Sequence, residues 1–324
     1  MSDDLSIVVL IPVFNDWDSA HLLLLDLDRV LQSAKLMATV LLVDDSSTTP
    51  MPDSIRTPLS SIRRLDILEL RRNLGHQRAI AVALAFVHAS LPCDAVAVMD
   101  GDGEDKPSDI LPLLKQFDRD QRSKIVFAER ARRSEGLVFR AFYWLYRGLH
   151  CVLTGFGVRV GNFSVLPYRA LDTLVVVSEL WNHYAAAVFK SRLPYSTVPT
   201  TRGVRLSGRR HMQFTSLVVH GLSALSVYGD VIGVRILMLM AGLALALTCG
   251  ILLTIGIRLT THLAIPGWAT FTIGILLVLI VQIAAVSVLF VFSLLASRAS
   301  MSFIPLRDYA FFVKRVRPVF PDGH

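Results

Sequence analysis

The first 130 residues alternate between short apolar runs and longer amphipathic stretches. Five runs have the length and β-branched content of strands: SIVVLIP, TVLLVD, LDILEL, AVAVMD and KIVFAE. Three stretches between them have a helical pattern: LLLLDLDRVLQSA, HQRAIAVALAFVHA and PSDILPLLKQF. Continuous apolar strands separated by helices are typical of a parallel sheet covered on both faces. The pattern therefore predicts an α/β fold.

The C-terminal third of the chain has two long stretches almost free of charge. Residues 236–257 carry no charged side chain, and as a helix they would extend about 33 Å, enough to cross the hydrocarbon core of a bilayer. The linker that follows, RLTTHLAIPGW, is short and contains a proline and a glycine. Two buried core helices are the alternative, but consecutive helices of this length are rare in soluble cores. We predict a transmembrane hairpin over 232–297, with helices at about 233–257 and 269–297.

Basic residues are concentrated on the flanks of this hairpin. The linker contains Arg258 alone, whereas the flanks contain Arg202, Arg205, Arg209, Arg210 and Arg235 on one side and Arg298, Arg307, Lys314, Arg315 and Arg317 on the other. Basic flanks remain on the cytoplasmic side of a membrane. We therefore expect a multi-pass protein of the inner (plasma) membrane, with its N-terminal region and its C-terminus in the cytoplasm.

The composition favours a membrane protein over an ordinary soluble enzyme. Of 324 residues, 53% are hydrophobic and 18% are charged, and the net charge is +7. An anionic lipid surface attracts such a charge. Nucleic-acid binding is not expected, because the basic residues flank the predicted spans instead of forming a patch with stacking aromatics. Three scattered cysteines indicate reduced thiols, and acids near the N-terminus argue against a cleaved signal peptide.

Three of the predicted strands end in polar clusters, at residues 12–16, 44–47 and 100–105. In a parallel sheet, ligands bind beyond the carboxyl ends of the strands. One polar loop would mean little, since loops are usually polar. Three clusters at one edge of the sheet predict a binding site there.

The last of these clusters, DGDGED, places four carboxylates within six residues. An EF-hand loop beginning at Asp100 is excluded, because Asp105 and Leu111 stand where that loop needs Gly and Glu. A dinucleotide fingerprint is excluded as well, because GxGxxG is absent. One remaining interpretation is a solvated acidic turn. The other is a site for Mg²⁺ or Mn²⁺, which bind one or two carboxylates and leave further positions to phosphate oxygens.

Five motifs, in their order along the chain, resemble family 2 glycosyltransferases of the GT-A fold: LIPVFND, LLVDDSS, RRNLGHQRAIAVAL, VMDGDGEDKPSDI and GNFSVLPYRAL. With the C-terminal hairpin, the chain resembles the polyprenyl-phosphate branch, which includes dolichol-phosphate mannose synthase and its bacterial relatives. The resemblance implies a GT-A (Rossmann-like) catalytic domain over 1–210. A juxtamembrane interfacial helix over 211–231, the hairpin and a basic cytoplasmic tail over 298–324 would follow.

The resemblance also implies roles for individual residues. Asp100 and Asp102 would be the catalytic residues, Asp100 facing the donor ribose or the metal, and with Glu104 they would ligate Mg²⁺ or Mn²⁺. Arg130 and Arg140 would lie near the acceptor phosphate. The residues that would bind the nucleotide sugar are Pro12, Phe14, Asn15, Asp16, Asp44, Gly75, Arg202, Arg205 and Arg209.

The chain departs from the usual motifs of this family at residues 16, 46 and 104 and in the basic loop over 202–210, where the register stays open between Arg202 or Arg205 and Arg209 or Arg210. Asp16 replaces a Glu, Ser46 replaces a Gly, and Glu104 replaces a Gln. Two neighbouring residues are assigned structural roles. We expect Asp105 to be the N-cap of the PSDILPLL helix and His76 to be a capping or loop-surface residue.

The implied reaction is the inverting transfer of a hexose from a UDP- or GDP-sugar to a membrane polyprenyl phosphate. Relatives with this hairpin can also assemble into homo-oligomers through it. A processive glycan synthase shares the first motifs but would need more spans and a Gln-x-x-Arg-Trp element, where this chain reads VVSELWNHYAAAV. A non-catalytic, membrane-tethered nucleotide-sugar binding protein is the second alternative.

Overall fold

The computed structural model describes residues 5–130, 148, 160–207, 223, 225–261, 267–299 and 303–320. These residues fall into two compact units. The first contains the N-terminal region up to residue 227, apart from residues 146–156, together with the segment that begins at residue 303. The second contains residues 146–156 and 228–302.

The first unit is built on an eight-stranded sheet in the order β7-β5-β6-β4-β1-β2-β3-β8. Its strands are β1 (Ile7–Val13), β2 (Ala38–Asp44), β3 (Ile62–Leu70), β4 (Ala95–Val98), β5 (Ile125–Arg130), β6 (Val160–Pro167), β7 (Tyr195–Thr200) and β8 (Val313–Phe320). The five predicted strands run in one direction, as expected, but β6 lies between β4 and β5 and is antiparallel to both. The sheet is therefore mixed, because β8 is also antiparallel to its neighbour β3.

Helices cover both faces of this sheet. The α-helices of the first unit are α1 (Trp17–Ser33), α2 (His76–Ser90), α3 (Ile110–Arg119), α4 (Ala170–Leu174), α5 (Tyr184–Lys190) and α8 (Pro305–Asp308). All seven residues of β1 are buried, and alternate ones face opposite layers. Ile7, Val9 and Ile11 pack with α1 and α3, whereas Val8 and Leu10 pack with α2. Burial on both faces explains why this strand is apolar throughout.

Two long helices, α6 (Gly229–Thr260) and α7 (Trp268–Ala299), form the described core of the second unit. Over 18-residue windows their mean hydropathies reach 2.5 and 3.0, and both helices are long and apolar enough to cross a membrane. The helices pack antiparallel, since Gly233 faces Leu294 near one end and Gly250 faces Leu276 further along. The prediction of two long apolar helices in this region is confirmed, and both are candidate membrane spans.

The segment after α7 differs from the basic tail that the sequence predicted over 298–324. Residues 313–320 form β8 and close one edge of the sheet against β3. Arg315 holds the carboxylate of Glu69 on β3 through two hydrogen bonds of 2.8 and 2.9 Å. The basic side chains therefore neutralise a largely buried acid of the first unit. Most of the predicted helix over 211–231 lies outside the described residues, and residues 229–231 already belong to α6.

Candidate active site

The exit of β1 is a turn held together by Asn15. Its backbone is left-handed, with φ of 54°. Its side-chain oxygen accepts hydrogen bonds from the backbone N–H groups of Thr48 and Thr49 at 2.7 and 3.1 Å. The hydroxyl of Ser47 accepts a bond of 2.9 Å from the Asn15 N–H in return. Asn15 thus ties the exit of β1 to the exit of β2, while Phe14 beside it is 46% exposed at the rim.

The exit of β2 carries two adjacent acids with different surroundings. Asp44 is half-buried, and its carboxylate accepts a bond of 2.8 Å from the N–H of Ser47. Asp45 is buried and accepts the backbone N–H groups of Leu74 and Gly75 at 2.7 and 2.8 Å. Burial raises the pKa of Asp45 above its ordinary value, against the lowering effect of these two bonds. Asp45 fixes the loop before α2, a role that the sequence did not indicate.

The acidic turn after β4 (residues 100–105) is folded by hydrogen bonds within itself. The Asp105 carboxylate accepts the N–H of Asp100 at 3.1 Å, and Asp102 accepts the N–H of Glu104 at 3.0 Å. The predicted N-cap role of Asp105 is therefore wrong, because its side chain points back to the start of the turn. At Gly101, an added Cβ would lie 2.7 Å from the carbonyl oxygen of Pro12. The acidic turn and the exit of β1 are thus in close contact.

The segment that follows β7 lies across the acidic turn, and we call residues 201–207 the arginine loop. The N–H of Gly203 donates to the carbonyl of Glu104 at 2.8 Å, and the N–H of Leu206 donates to that of Asp102 at 3.1 Å. An added Cβ at Gly203 would lie 2.6 Å from the carbonyl oxygen of Gly103. Glycine at 203 therefore lets the two backbones approach, and at Gly103 an added Cβ would collide with the Leu206 side chain.

Two arginines of this loop pair with the acids around it. Arg202 forms an ion pair with Glu104. Arg205 forms one with Asp16, and its other nitrogen lies 3.6 Å from Asp102. Arg205 therefore connects the exit of β1 to the acidic turn. Sequence reasoning named all five residues, and the structure brings them together.

Two polar side chains, His76 and Asn162, contact the carboxylate of Asp100. His76 Nε2 lies 2.9 Å from Asp100 Oδ1. Asn162 on β6 places its Nδ2 at 2.9 Å from the same His76 nitrogen and at 3.4 Å from Asp100 Oδ1. Desolvation lowers the pKa of His76, but attraction to Asp100 and the hydrogen bond between them raise it by more. His76 therefore contacts the acidic turn directly, a contact that the predicted capping or loop-surface role did not include.

The electrostatics of the acidic turn suit a cation. Burial raises the pKa of Asp102, and the negative charge of Asp100 raises it further, against the opposing effect of Arg205. The donors are carboxylate oxygens, which Mg²⁺ and Mn²⁺ prefer. Among the residues that the structure describes, no group of three His, Cys, Asp or Glu side chains could enclose an ion. A metal here would be held by Asp100 and Asp102 and completed by oxygens from outside the protein. Glu104, the third ligand predicted from the sequence, forms an ion pair with Arg202.

A cleft opens beside this turn, between the ends of β5, β6 and β7. It is lined by Glu104, Asp105, Asp109, Ala128, Gly161, Phe163, Thr200, Thr201 and Arg202. The backbone of Arg130 pairs with Thr200, so this predicted acceptor residue lies at the end of a strand beside the cleft. Two other predicted residues, Arg140 and Arg209, lie outside the described part of the chain.

Comparison with known proteins agrees with this architecture. The chain is 22% identical over 288 residues to the uncharacterized glycosyltransferase YkcC of Bacillus subtilis, covering 84% of each protein. It is 26% identical over 224 residues to a dodecaprenyl-phosphate galacturonate synthase of Rhizobium johnstonii, covering 68% of this chain and 62% of that protein.

Solved structures share the fold at low sequence identity. Glucosyl-3-phosphoglycerate synthase of Mycobacterium tuberculosis, solved with Mn²⁺, UDP-glucose and phosphoglyceric acid, superposes with a TM-score of 0.51 at 15% identity, over 71% of this chain and 80% of that one. Mannosyl-3-phosphoglycerate synthase of Rubrobacter xylanophilus gives a TM-score of 0.50 at 16% identity, over 70% and 73%. The model of the family "Glycosyl transferase family 2" matches residues 8–174, more than half of the chain. The protein belongs to family 2 of the glycosyltransferases and has their GT-A fold.

Proposed function

We propose that this glycosyltransferase transfers a hexose from a nucleotide diphosphate sugar to the phosphate of a membrane polyprenyl lipid, with help from a divalent metal. One observation carries the proposal. Carboxylates from two strand exits, Asp16 and Asp102, meet the guanidinium of Arg205 at the carboxyl edge of the sheet. Such a site has carboxylates that could bind a metal ion and an arginine that could bind a diphosphate.

The donor would bind across the exits of β1, β2 and β4. Asp44 lies half-buried at the end of β2 with one oxygen bonded to Ser47, and it is proposed to accept hydrogen bonds from the base. Pro12, Phe14, Asn15 and Gly75 would frame the nucleotide, with Asn15 acting through the turn that it holds. Asp100 and Asp102 would hold Mg²⁺ or Mn²⁺, and a bound metal would neutralise charge that develops on the leaving diphosphate.

The arginine loop would supply the second positive group. Guanidinium forks bind carboxylates and phosphates with the same geometry. Arg202 and Arg205 are therefore proposed to contact the diphosphate from positions where they already face the acidic turn. Arg209 is proposed to extend this group.

Two observations support a lipid acceptor. The chain carries two helices that could cross a membrane, and one of its relatives is a dodecaprenyl-phosphate galacturonate synthase. A phosphate monoester is largely ionised near pH 7, so it can attack the anomeric carbon without a strong general base. Direct displacement would invert the configuration at that carbon. Arg130 and Arg140 are proposed to attract the acceptor phosphate.

The site and the hairpin also define a proposed location. With basic flanks on the cytoplasmic side, the first unit would work at the inner face of the plasma membrane and the hairpin would pass through it twice. Self-association through the hairpin is part of the same proposal.

A donor and acceptor screen tests this function. Full-length protein purified in detergent is incubated with UDP- and GDP-hexoses and Mn²⁺ or Mg²⁺, with and without undecaprenyl phosphate, and the lipids are examined by mass spectrometry. We expect a glycolipid that requires the acceptor and is lost with EDTA. Metal-dependent nucleotide binding with no product from any donor would instead favour the non-catalytic binding protein.

A further inference from the structure

Beneath the acidic turn, two buried side-chain amides connect α2, β6 and α5. Gln77 and Asn162 are each 8% exposed. Gln77 Nε2 donates to Asn162 Oδ1 at 3.0 Å, and Gln77 Oε1 accepts the backbone N–H of Tyr184 at 2.7 Å. The far end of this chain of bonds is Asn162 Nδ2, which faces Asp100.

The direction of these bonds is fixed at one end. An amide side chain can be turned to exchange its oxygen and nitrogen, and only its hydrogen-bond partners decide the orientation. A backbone N–H can only donate, so Tyr184 requires the oxygen of Gln77. Gln77 then presents its NH₂ group to Asn162, which must answer with its oxygen. Asn162 is left with its NH₂ group on the side of Asp100.

The same reasoning orients the carboxylate of Asp100. Its Oδ1 accepts the N–H of Asn162 at 3.4 Å and lies 2.9 Å from His76 Nε2, which is also 2.9 Å from Asn162 Nδ2. One ring nitrogen cannot donate to Asp100 and accept from Asn162 at once, so we assign its proton to the bond with Asp100. Asn162 and His76 then both donate to this oxygen and fix the rotation of the carboxylate. A reversed Asn162 would place its carbonyl oxygen against this oxygen and turn the carboxylate away.

We propose that Gln77 and Asn162 are positioning residues for Asp100. The Tyr184 backbone N–H fixes the orientation of the Gln77 amide, Gln77 fixes that of Asn162, and Asn162 then donates to the Asp100 carboxylate and orients it for the metal. This inference rests on the proposed function, in which Asp100 is a metal ligand. Buried partners that orient a metal ligand typically change metal affinity by about ten- to a hundredfold when they are altered.

Three variants separate this role from simple packing. Gln77→Glu is nearly isosteric and still accepts the Tyr184 N–H, but as a carboxylate it cannot donate to Asn162, so Asn162 should reverse. Gln77→Met removes the chain of bonds without reversing Asn162. Asn162→Ala removes the residue through which Gln77 acts. Gln116→Glu is the matched control, because Gln116 lies on α3 and donates to Asp120 just after that helix, outside the candidate site.

Mn²⁺ binding to the full-length protein, measured by electron paramagnetic resonance with thermal midpoints alongside, is the readout. We expect about a tenfold or greater weakening for Gln77→Glu, a smaller one for Gln77→Met, and none for Gln116→Glu. In the Asn162→Ala background, Gln77→Glu should have no further effect. Equal affinities for Gln77→Glu and wild type, or equal losses with and without Asn162, would overturn the inference while leaving the proposed transferase intact. A wild-type protein that binds no Mn²⁺ would overturn the proposed metal site and this inference together.

Discussion

Asn15 and Ser46 adopt left-handed backbone conformations at the exits of neighbouring strands, with φ of 54° and 62°. Asn tolerates this region because its side chain bonds to nearby backbone, as Asn15 does with Thr48 and Thr49. Ser46 is less suited to it, and family 2 enzymes usually have glycine at this position. The turn that carries Asp44 and Asp45 therefore holds a strained residue.

Replacing Ser46 with glycine should relieve this strain. A left-handed residue costs about 1–2 kcal/mol, and the greater freedom of glycine in the unfolded chain offsets about 0.5–1 kcal/mol of that gain. We expect Ser46→Gly to raise the free energy of unfolding by up to about 1.5 kcal/mol. Thermal unfolding in detergent checks this. Ser191→Gly is the control of opposite sign, because φ there is −71° and the variant also loses the bond of 2.7 Å from the Ser191 hydroxyl to the Ala187 carbonyl. A stabilised Ser191→Gly would contradict the explanation.

The acids of the site could be predicted from the sequence, but the groups that orient them could not. Asp44, Asp100 and Asp102 follow apolar runs directly, and parallel strands bring such positions to one edge. Asn162 and Gln77 are separated by 85 residues and meet only because β6 inserts beside β4. The local pattern predicted that Asp105 caps the following helix, whereas its carboxylate accepts a hydrogen bond from the N–H of Asp100. Local patterns do not contain such long-range pairings.

At the scale of elements, the strand β8 completes the sheet through charge as well as backbone pairing. Its sequence, VKRVRPVF, is typical of a basic tail, because three of its eight residues are cationic and the alternation of apolar and polar residues is too short to predict a strand. In the sheet, three of these cations surround Glu69: Arg315 at 2.8 Å, Arg317 at 3.5 Å and Lys314 at 3.8 Å. Burial raises the pKa of Glu69, but these cations lower it by more, below its ordinary value of 4.5.

This cluster gives the attachment of β8 a defined pH dependence. A carboxyl whose pKa is lowered by folding stabilises the protein above its ordinary pKa, and that contribution is lost as the pH falls through the lowered value. Glu69→Gln should therefore lower the thermal midpoint at pH 7, and the difference from wild type should shrink below about pH 4.5. Asp53→Asn is the control, because Asp53 and Arg56 form a highly exposed pair. A difference that is the same at pH 7 and at pH 4 would contradict the role of Glu69.

At the scale of the whole molecule, the chain joins a glycosyltransferase sheet to a pair of helices that could cross a membrane. The sheet is interrupted in sequence by these helices, since β8 follows them and pairs with β3. The first unit therefore requires chain from both sides of the hairpin. In the proposed function, such an arrangement would keep the site for a water-soluble nucleotide sugar on the same chain as the helices that could cross a membrane.

The most direct test of this account is the initial rate of glycolipid formation by Asp102→Asn, compared with wild type, at saturating Mn²⁺ and donor. Asn keeps the oxygen that accepts the Glu104 N–H, so the turn should persist. Asp26→Asn, at a surface pair with Arg29, is the matched control and should be unchanged. We expect Asp102→Asn to fold with a thermal midpoint no lower than that of wild type, because burial and Asp100 disfavour the Asp102 charge. The variant should lose at least about a hundredfold in rate. A folded Asp102→Asn protein that makes glycolipid at the wild-type rate would contradict the assignment of the acidic turn as the catalytic centre.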